Sequence, residues 1–426
     1  MIGILFGSFF LLILIGVPIS FAIGLSTVAT ITFGIDTLSA GIFIQRMFAG
    51  INSFPLMCIA FFILSGDLMS NGDLTKNIVK FANVFVGRIP GGLAHVNVLG
   101  SMMFGGVSGS ANADVSSMGP LEIGMMRAAG YHKEFSVAVT VASATIGIII
   151  PPSIPMVIYA SSAGGVSISD LFIAGIIPGV LMGVSMMITC YIIAKKRNYP
   201  KEAKHTFQEN VRAILEGIPT CFLFVIIMGG ILAGIFTPTE ASVVAALYSF
   251  ILSVICYRTV SIRQVPGIMI NSALSTAVVL FLIGVSTAFS FILAYAKVPQ
   301  LVTNLILSIT DVPSLIFILM FVVFLIVGAI MDTSPALIIL TPIFLPLAES
   351  CGMDPVQFGL FMIVALSIGL YTPPVGAVLF IGAKIGGVSI EQASLACIPF
   401  WIAVSIVVLA IIFIPELTLW LPSVFG

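Results

Sequence analysis

Long apolar runs separated by short polar breaks extend over the whole chain. Because a helix that crosses a bilayer needs about 20 apolar residues, the chain has room for roughly a dozen crossings or part-crossings. The segments predicted to cross are Ile2–Thr32 (notched at Gly16–Pro18), Phe54–Met69, Leu171–Ala194, Ile214–Phe236, Ala241–Tyr257, Ile268–Tyr295 and Ala393–Ile414, the last of them. The pattern therefore predicts a protein built from membrane helices.

Two neighbouring stretches have membrane-like composition but contain residues that break helices. Leu93–Phe104 and Val115–Met126 are each too short to cross, and Gly105–Asp114 between them is rich in Gly, Ser and Asn, which predicts a re-entrant hairpin. Phe135–Tyr159 is predicted to be a crossing interrupted at Gly147–Ser153. Broken backbone at membrane depth is tolerated only where it is buried in protein or lines a cavity, so these breaks indicate a binding site.

The second half of the chain repeats this plan. A shift of 222 residues places Pro152 on Pro374 and also pairs Gly106 with Gly328, Pro120 with Pro342, Gly130 with Gly352, Gly147 with Gly369, Pro151 with Pro373 and Gly164–Ile168 with Gly386–Ile390. The repeat predicts a second hairpin at Pro313–Ala348 and a second interrupted crossing at Gln357–Lys384. Interrupted apolar segments at matching places in two halves are typical of a transporter's binding site.

Two shorter segments carry polar residues on an apolar background. Leu74–Ile89 predicts an amphipathic helix on the membrane surface, Val298–Ile309 is its counterpart, and Asp36–Gly50 is expected at the membrane interface. These elements divide the chain into N-terminal scaffold helices (residues 1–73), a first repeat (74–194), a basic loop with central scaffold helices (195–295) and a second repeat (296–426).

Composition supports a membrane protein. Hydrophobic residues make up 59 % of the 426 residues, charged residues only 8 %, and the mean hydropathy is +1.24. Soluble domains carry roughly 25 % charged residues. The net charge of −1 gives no indication of nucleic-acid binding, and neither the six scattered cysteines nor the three histidines have the spacing of a metal site. The first segment lacks a basic region and a cleavage site, so it is expected to remain as an anchor.

The charges beside the two hairpins predict opposite orientations. The first hairpin is flanked by Lys76, Lys80, Arg88, Arg127 and Lys133, and the second mainly by Asp311, Glu349 and Asp354. Because Lys and Arg prefer the cytoplasmic side, the first hairpin is expected to enter from the cytoplasm and the second from outside. The predicted fold is an all-α polytopic membrane protein, an inverted repeat with two re-entrant helical hairpins and two interrupted transmembrane helices, as in alternating-access carriers.

The predicted breaks contain side-chain hydroxyl groups, one side-chain amide and backbone carbonyls that have no partner within a helix. These hard oxygen ligands suit Na⁺, and helix N-termini at the same breaks suit an anion. The predicted Na⁺ ligands are Ser108, Gly109, Asn112, Thr145, Gly147, Gly328, Asp332, Thr333, Gly369 and Thr372. The predicted substrate contacts are Ser108, Ser110, Asn112, Pro151, Pro152, Ser334, Pro373 and Pro374. One such serine alone would more often serve helix packing, but the repeated pattern favours a site.

Three acidic residues stand out in this apolar sequence. Asp332 is an ionisable side chain at membrane depth and therefore a functional candidate, although it could also cap the following helix. Asp114 could cap a helix likewise. Glu240 ends the segment Thr237–Glu240 (TPTE), which has the spacing of a capping box with proline at its first position, and we assign Glu240 to capping.

Two other functions fit parts of the pattern. Gly106–Gly109 (GVSG) matches the G-x-S-G of intramembrane serine proteases, but no histidine lies in any predicted crossing after residue 132 to act as the base. Re-entrant loops also occur in channels. The inverted pair of hairpins, each facing a proline-broken crossing, favours a carrier over both alternatives.

With these features in place, the chain resembles the large membrane subunit of TRAP (tripartite ATP-independent periplasmic) transporters over essentially its full length. The most specific segments are Gly105–Ala113 (GGVSGSANA), Gly147–Ser153 (GIIIPPS), Thr237–Glu240 (TPTE), Met331–Pro335 (MDTSP) and Gly369–Gly376 (GLYTPPVG). The chain is most similar to the sialic acid branch of this family, and C4-dicarboxylate carriers share the motifs.

The resemblance implies a multi-pass protein of the bacterial inner membrane that imports a small organic anion together with two or more Na⁺ ions. It implies an elevator motion in which the hairpins and interrupted crossings move together. It also implies two partners, a small four-helix membrane subunit and a soluble periplasmic substrate-binding protein. The chain has no G-x-x-x-x-G-K-[S/T] motif, which agrees with ion coupling rather than ATP use.

Overall fold

The computed structural model describes residues 1–35, 38–71, 74–201 and 206–425, and this part of the chain is helical, with no strand. The all-α prediction is confirmed. The N-terminal helices are α1 (Ile2–Leu14), α2 (Ile19–Gly34), α3 (Gly41–Ile51), α4 (Met57–Asn71) and α5 (Leu74–Val86). They are followed by α6 (Gly92–Ser108), α7 (Ala111–Ser117), α8 (Gly119–Ala128), α9 (Lys133–Ala144), α10 (Ile154–Ala163) and α11 (Ile168–Arg197).

The second half contains an amphipathic helix, a hairpin and an interrupted crossing in the same order as the first. It consists of α12 (Phe207–Leu232), α13 (Pro238–Phe250, continued as a π-helix over Ile251–Cys256), α14 (Val265–Tyr295), α15 (Val298–Leu307), α16 (Pro313–Ile330), α17 (Thr333–Ser350), α18 (Pro355–Gly369), α19 (Ala377–Gly386), α20 (Ile390–Phe413) and α21 (Glu416–Phe425). Gly130 and Gly352, which the 222-residue shift pairs, have φ angles of 85° and 86°. The structure therefore repeats the local backbone as well as the sequence.

The helices include full-length and short apolar elements. In the described ranges, seven helices are long and apolar enough to cross a membrane, or eight if α3 and α4, bent by 66°, are counted as one crossing. Six further apolar helices are shorter, as expected of part-crossings. Asp36, at the start of the predicted interface segment, lies outside the described residues.

The prediction of one crossing at Ile2–Thr32 is wrong. The chain turns at Gly16–Pro18, and α1 and α2 lie side by side, with Gly34 at the end of α2 packed against Met1 and Ile4. Gly16 has a φ of 89°, outside the helical region, and Pro18 (φ −54°, ψ 139°) stands in extended backbone at the N-cap of α2, without an N–H to continue the hydrogen bonds of α1. Composition did not reveal the reversal because both arms of the hairpin are apolar.

Ala393–Ile414, predicted as the last crossing, matches α20, the last helix of the described residues that is long and apolar enough to cross, but the chain continues beyond it. The chain breaks at Ile414–Pro415 and continues as α21, which packs against α11. At ten residues, α21 is roughly 15 Å long and too short to cross a bilayer. Because its apolar segment is shorter than a crossing, the length criterion for membrane helices did not predict it.

The helices pack in two groups that touch each other directly, through α14 on α17 and α4 on α6, and that are also bridged by the amphipathic helices. In one group, α14 packs against α2, α3 and α4, and α13 packs against α4 and α12. In the other, α9 packs against α6, α8 and α20, and α18 against α16, α17 and α20. Helix α5 contacts α6 and α12, and α15 contacts α14 and α17, so each amphipathic helix touches both groups. The exact bounds of the four predicted segments stay a prediction.

Candidate functional site

Each hairpin turns at a two-residue break. In hairpin 1, formed by α6, α7 and α8, the break is Gly109–Ser110, and the Ser110 hydroxyl caps α7 by accepting from the backbone N–H of Ala113 at 3.4 Å. The non-helical segment is therefore shorter than the predicted one, Gly105–Asp114. Helix α6 continues through its glycines to Ser108 because tertiary packing, described below, favours a helix there.

Hairpin 2, formed by α16 and α17, turns at Met331–Asp332. The Asp332 carboxylate caps α17 by accepting from the backbone N–H of Ser334 at 3.4 Å. The expected capping role of Asp332 is confirmed.

The two predicted interruptions of the crossings are confirmed. In the first half, α9 continues as a 3₁₀ turn over Thr145–Ile148, and the helix resumes at α10 after Ser153 caps it by accepting from the N–H of Met156. In the second half, the backbone between α18 and α19 is not regular helix. There the N–H of Val375 donates to the carbonyl of Ala329 at 3.0 Å, which ties the break to the end of α16.

Pairs of glycines bring each hairpin onto the interrupted crossing. Gly105 lies against Gly147, and Gly328 lies against Gly369, so closely that a Cβ atom on Gly105, Gly147 or Gly369 would overlap the partner glycine's backbone. A Cβ atom on Gly328 would overlap the carbonyl of Leu366 on α18. At each contact the C-terminal end of one helix meets the C-terminal end of another, α6 with the 3₁₀ turn and α16 with α18. Because helix C-termini carry partial negative charge and free carbonyls, both junctions suit a cation.

The tips of the two hairpins meet. The Asn112 side-chain amide donates to the Asp332 carboxylate at 3.4 Å across 220 residues of sequence. Beside this contact, Asn112 Oδ1 and Thr333 Oγ1 are buried without a hydrogen-bond partner. Buried oxygens normally find a partner, so these two are free to bind a ligand.

A cavity of about 460 Å³ lies between these tips and the scaffold helices. Both tips, the break residues Ile148 and Leu370, and the start of α10 form one side. Helices α2, α4 and α14 form the other side, with Ser20, Asp67 and Ser275 as their polar contributions. The N-termini of α7, α10 and α17 all border this space, and their free N–H groups suit an anion.

Asp67 is a cavity residue that the sequence analysis missed. It lies on α4 and accepts a hydrogen bond from Ser272 on α14 at 2.5 Å. Its signal in the sequence was a single carboxylate inside an apolar run, which by itself indicates function at membrane depth. Among the described residues that line the cavity, the charged side chains are those of Asp67 and Asp332. This lining contains no Lys, Arg or His.

The structure gathers most but not all of the predicted site residues. Seven line the cavity, namely Ser108, Gly109, Ser110, Asn112, Asp332, Thr333 and Ser334. Gly147, Gly328 and Gly369 form the junctions behind it. Thr145 and Thr372 lie in the breaks and donate to carbonyls of their own helices, Ala142 and Ile368.

The four paired prolines do not line the cavity. Pro151 and Pro152 are buried behind hairpin 1, where the Pro152 carbonyl faces Gly109, whereas Pro373 and Pro374 are exposed. Their place in the structure is in the breaks themselves, so their predicted contact with substrate has no geometric support.

Of the two remaining helix-capping predictions, the one for Glu240 is confirmed and the one for Asp114 is wrong. Glu240 forms the expected capping box, accepting from the N–H of Thr237 at 2.8 Å while its own N–H donates to the Thr237 hydroxyl at 3.3 Å. The capping role suggested for Asp114 is wrong, because Ser110 caps α7 and Asp114 is buried one turn later.

Ser108, the serine of the G-x-S-G motif, has no base. Its hydroxyl accepts from the N–H of Ser110 at 3.5 Å, and neither His95 nor His132, the histidines of the described ranges, hydrogen-bonds it. A nucleophilic serine requires such a partner.

Comparison with known proteins gives one consistent result. Residues 6–417 match the family model described as "Tripartite ATP-independent periplasmic transporter, DctM component". The 2,3-diketo-L-gulonate TRAP transporter large permease protein YiaN of Escherichia coli is 38 % identical over 95 % of this chain and 95 % of its own. The sialic acid TRAP transporter large permease protein SiaM of Vibrio cholerae is 37 % identical over 100 % of this chain and 99 % of its own.

Two further comparisons extend this picture. The C4-dicarboxylate TRAP transporter large permease protein DctM of Rhodobacter capsulatus is 33 % identical over 99 % of both chains. The crystal structure of the Alcanivorax borkumensis YdaH transporter, which has an unusual topology, aligns with a TM-score of 0.66 at 14 % identity, covering 92 % of this chain and 90 % of that one. At this identity the structural likeness concerns the fold alone.

Proposed function

The chain belongs to the DctM component family of tripartite ATP-independent periplasmic transporters, and from this premise we propose that it imports a small organic anion by Na⁺ symport. Family membership confirms the resemblance seen in the sequence. The chain is a multi-pass protein of the bacterial inner membrane and a transporter subunit, not an enzyme.

The charge of the cavity is the observation that carries the proposal of cation coupling. The described lining has two carboxylates, Asp67 and Asp332, and no cationic side chain. An organic anion entering this space meets like charge in a surrounding of low dielectric constant, where repulsion is several-fold stronger than in water. Co-bound Na⁺ ions remove this repulsion, so substrate binding depends on Na⁺.

The proposed ion positions are the two glycine junctions and the tips beside them. In the first half the ligands are Ser108, Gly109, Asn112 and the break at Thr145–Gly147. In the second half they are Gly328, Asp332, Thr333 and the break at Gly369–Thr372. The unpartnered oxygens of Asn112 and Thr333 support this assignment because they point to a missing ligand. The substrate carboxylate then lies against the N-termini of α7, α10 and α17.

We propose that the substrate is a hydroxylated sugar acid, with sialic acid as the first candidate. A C4-dicarboxylate, which lies outside that class, is the next candidate. A volume of about 460 Å³ falls in the range of small-molecule sites. The hydroxyls of Ser20, Ser275 and Ser334 line it and suit a substrate that carries several hydroxyl groups. Relatives that transport sialic acid and 2,3-diketo-L-gulonate, both sugar acids, are similar to this chain at 37 % and 38 % identity.

The proposed mechanism is an elevator. The hairpins and interrupted crossings move together against the group that contains α2, α4 and α14, and the cavity lies at the boundary between the two groups. Helices α5 and α15, which contact both groups, act as the arms. As the family description states, the transporter is tripartite. The proposed partners are a small four-helix membrane subunit and a periplasmic binding protein that delivers the substrate.

Uptake in proteoliposomes tests the function as a whole. Vesicles containing this chain and its two partners are expected to accumulate labelled sialic acid against its gradient when Na⁺ is high outside, and to lose accumulation when K⁺ replaces Na⁺. A C4-dicarboxylate in the same assay decides between the substrate classes. Accumulation that is independent of Na⁺ would reject the coupling, and flux that does not saturate with substrate would indicate a channel.

Ser108→Ala is expected to weaken the Na⁺ dependence of uptake more than its maximal rate. The substitution removes one hydroxyl ligand at the end of α6 while leaving the helix intact, so the Na⁺ concentration for half-maximal uptake should rise roughly tenfold for a loss of about 1.4 kcal/mol. The measurement is a Na⁺ titration of initial uptake rates at saturating substrate.

Ser117→Ala provides the matched control, because Ser117 lies on α7 of the same hairpin and donates only to the carbonyl groups of its own helix, Ala113 at 2.7 Å and Asp114 at 3.3 Å. Its Na⁺ titration should match that of the wild type. An unchanged titration for Ser108→Ala would remove Ser108 from the ion site.

A further inference from the structure

The scaffold side of the cavity carries a carboxylate that is not among the proposed ion ligands. Asp67 lies on α4, and its carboxylate accepts from the hydroxyl of Ser272 on α14 at 2.5 Å. The residue before it, Gly66, packs against the tip of hairpin 1, where an added Cβ atom would lie 3.1 Å from the Cα atom of Ser108. Asp67 therefore holds a negative charge on the scaffold wall, beside the point where this wall touches hairpin 1.

The rest of the scaffold wall offers hydroxyl groups and apolar surface. Its other polar side chains, among the described residues, are those of Ser20 and Ser275. The remaining side chains that α2, α4 and α14 contribute are apolar, namely those of Ile19, Ile63, Val278, Val279 and Leu282. Serine hydroxyls both donate and accept hydrogen bonds, and a carboxylate accepts them from a hydroxyl group. This wall therefore suits the hydroxylated part of a substrate and has nothing to neutralise a negative charge.

The inference rests on the proposed function, which places one substrate carboxylate at the helix N-termini of the hairpin side. The proposed Na⁺ ligands all belong to the hairpins and interrupted crossings, and none belongs to α4 or α14. If the cavity of about 460 Å³ is treated as a sphere, it is roughly 10 Å across, a distance at which like charges still repel in a medium of low dielectric constant. The far end of a bound substrate therefore meets the charge of Asp67.

The two candidate substrate classes differ at that far end. A C4-dicarboxylate carries a second carboxylate there, whereas sialic acid has one carboxylate and presents hydroxyl groups. We propose that Asp67 is a specificity-determining residue, which admits hydroxylated sugar acids to the cavity and rejects dicarboxylates. Ser272 is the positioning residue that holds the Asp67 carboxylate on the scaffold wall. Selection of this kind depends on an unfavourable contact with the competitor rather than on tighter binding of the substrate.

A pair of ligands that differ by one charge tests the proposal. Succinate and its monoamide, succinamate, have nearly the same size, but succinamate has one carboxylate fewer. The full chain, purified with its small membrane subunit and placed in lipid nanodiscs at saturating Na⁺, is titrated with each ligand and with sialic acid, and ligand-observed NMR gives the Kd values. The periplasmic binding protein is left out because it has a substrate preference of its own.

The wild type is expected to bind succinamate about tenfold more tightly than succinate, because only succinate places a charge against Asp67. Asp67→Asn keeps the size of the side chain and an oxygen that can accept from Ser272, but it removes the charge. This variant should gain affinity for succinate, bind the two ligands with equal Kd and show no gain in affinity for sialic acid.

Two control variants isolate the charge at this position. Asp67→Glu keeps the charge and should keep the preference for succinamate. Asp311→Asn removes an exposed carboxylate that does not line the cavity, and its preference should equal that of the wild type. Should Asp67→Asn fail to fold, Asp67→Ser keeps a hydroxyl group for Ser272, and the same ratio of Kd values decides.

Three results would overturn the proposal. The first is a wild type that binds succinate and succinamate equally, or binds neither. The second is an Asp67→Asn variant that keeps the wild-type preference for succinamate. The third is a rise of about tenfold in the Na⁺ concentration for half-maximal sialic acid binding by Asp67→Asn, which would make Asp67 an ion ligand instead.

The proposal and the proposed function can fail independently. A wild type that does not bind sialic acid, but prefers succinamate and loses this preference with Asp67→Asn, would retain the role of Asp67 and refute the assignment to sugar acids. Na⁺-dependent binding of sialic acid, together with a preference for succinamate that does not depend on Asp67, would support the proposed function and refute the role of Asp67.

Discussion

Asp332→Ala is expected to abolish uptake at low Na⁺ and to raise the Na⁺ concentration for half-maximal uptake by at least about tenfold. Asp332 carries one of the two charges that line the cavity, and its carboxylate accepts from Asn112 of the other hairpin. Removing it takes away a cation ligand and the contact between the tips together. The measurement is initial uptake in proteoliposomes over a series of Na⁺ concentrations.

Two further variants separate the charge of Asp332 from its role as a helix cap. Asn caps helices as well as Asp does, so Asp332→Asn preserves α17 and should still show the raised Na⁺ requirement. Asp354→Ala removes an equivalent cap, since the Asp354 carboxylate accepts from the N–H of Val356 at 2.7 Å at the start of α18, away from the cavity. Its Na⁺ titration should not change. Wild-type uptake by Asp332→Ala at all Na⁺ concentrations would remove Asp332 from the site.

Gly369→Ala is expected to reduce Na⁺-driven uptake to less than about a tenth of the wild-type rate and to lower the thermal unfolding midpoint. The new methyl group would overlap backbone atoms of Gly328 and Ala329, which move only if hairpin 2 separates from the interrupted crossing. Overpacking of this kind costs about 1–3 kcal/mol. Gly147→Ala should act in the same way in the first half, because its methyl group would meet Gly105.

Gly124→Ala and Gly267→Ala are the controls for these variants. Both glycines lie inside helices, α8 and α14, with open space where the methyl group would go. Alanine at such a position favours the helix by about 0.5–1 kcal/mol, so stability and uptake should be maintained or improved. If Gly369→Ala matched these controls in stability and uptake, the close junction would have no part in ion binding.

The sequence alone determined the main features of the architecture. The length and composition of the apolar runs predicted membrane helices, and Gly, Ser and Pro clusters predicted the breaks, because both signals depend on neighbouring residues. The 222-residue repeat then predicted the second hairpin and the second interruption. The capping box at Thr237–Glu240 was equally local, and the structure contains it.

The failures share a physical cause. The notch at Gly16–Pro18 was visible, but not that the chain reverses there, because both arms are apolar. The continuation of α6 through Gly105 brings that residue against Gly147, which belongs to another element. Asp67 was passed over inside the apolar run Phe54–Met69, and Asp114 was assigned to helix capping. Ser272, which donates to Asp67, lies 205 positions away, and α19, which packs against the helix of Asp114, lies in the second half of the chain.

Local sequence therefore determined which segments are helices, where they break and that the unit is duplicated. Tertiary structure alone decided that Asn112 meets Asp332 and that Asp67, held by Ser272, faces the same cavity. These contacts join residues from separate helices, 220 and 205 positions apart, and they follow from how helices pack rather than from any local pattern.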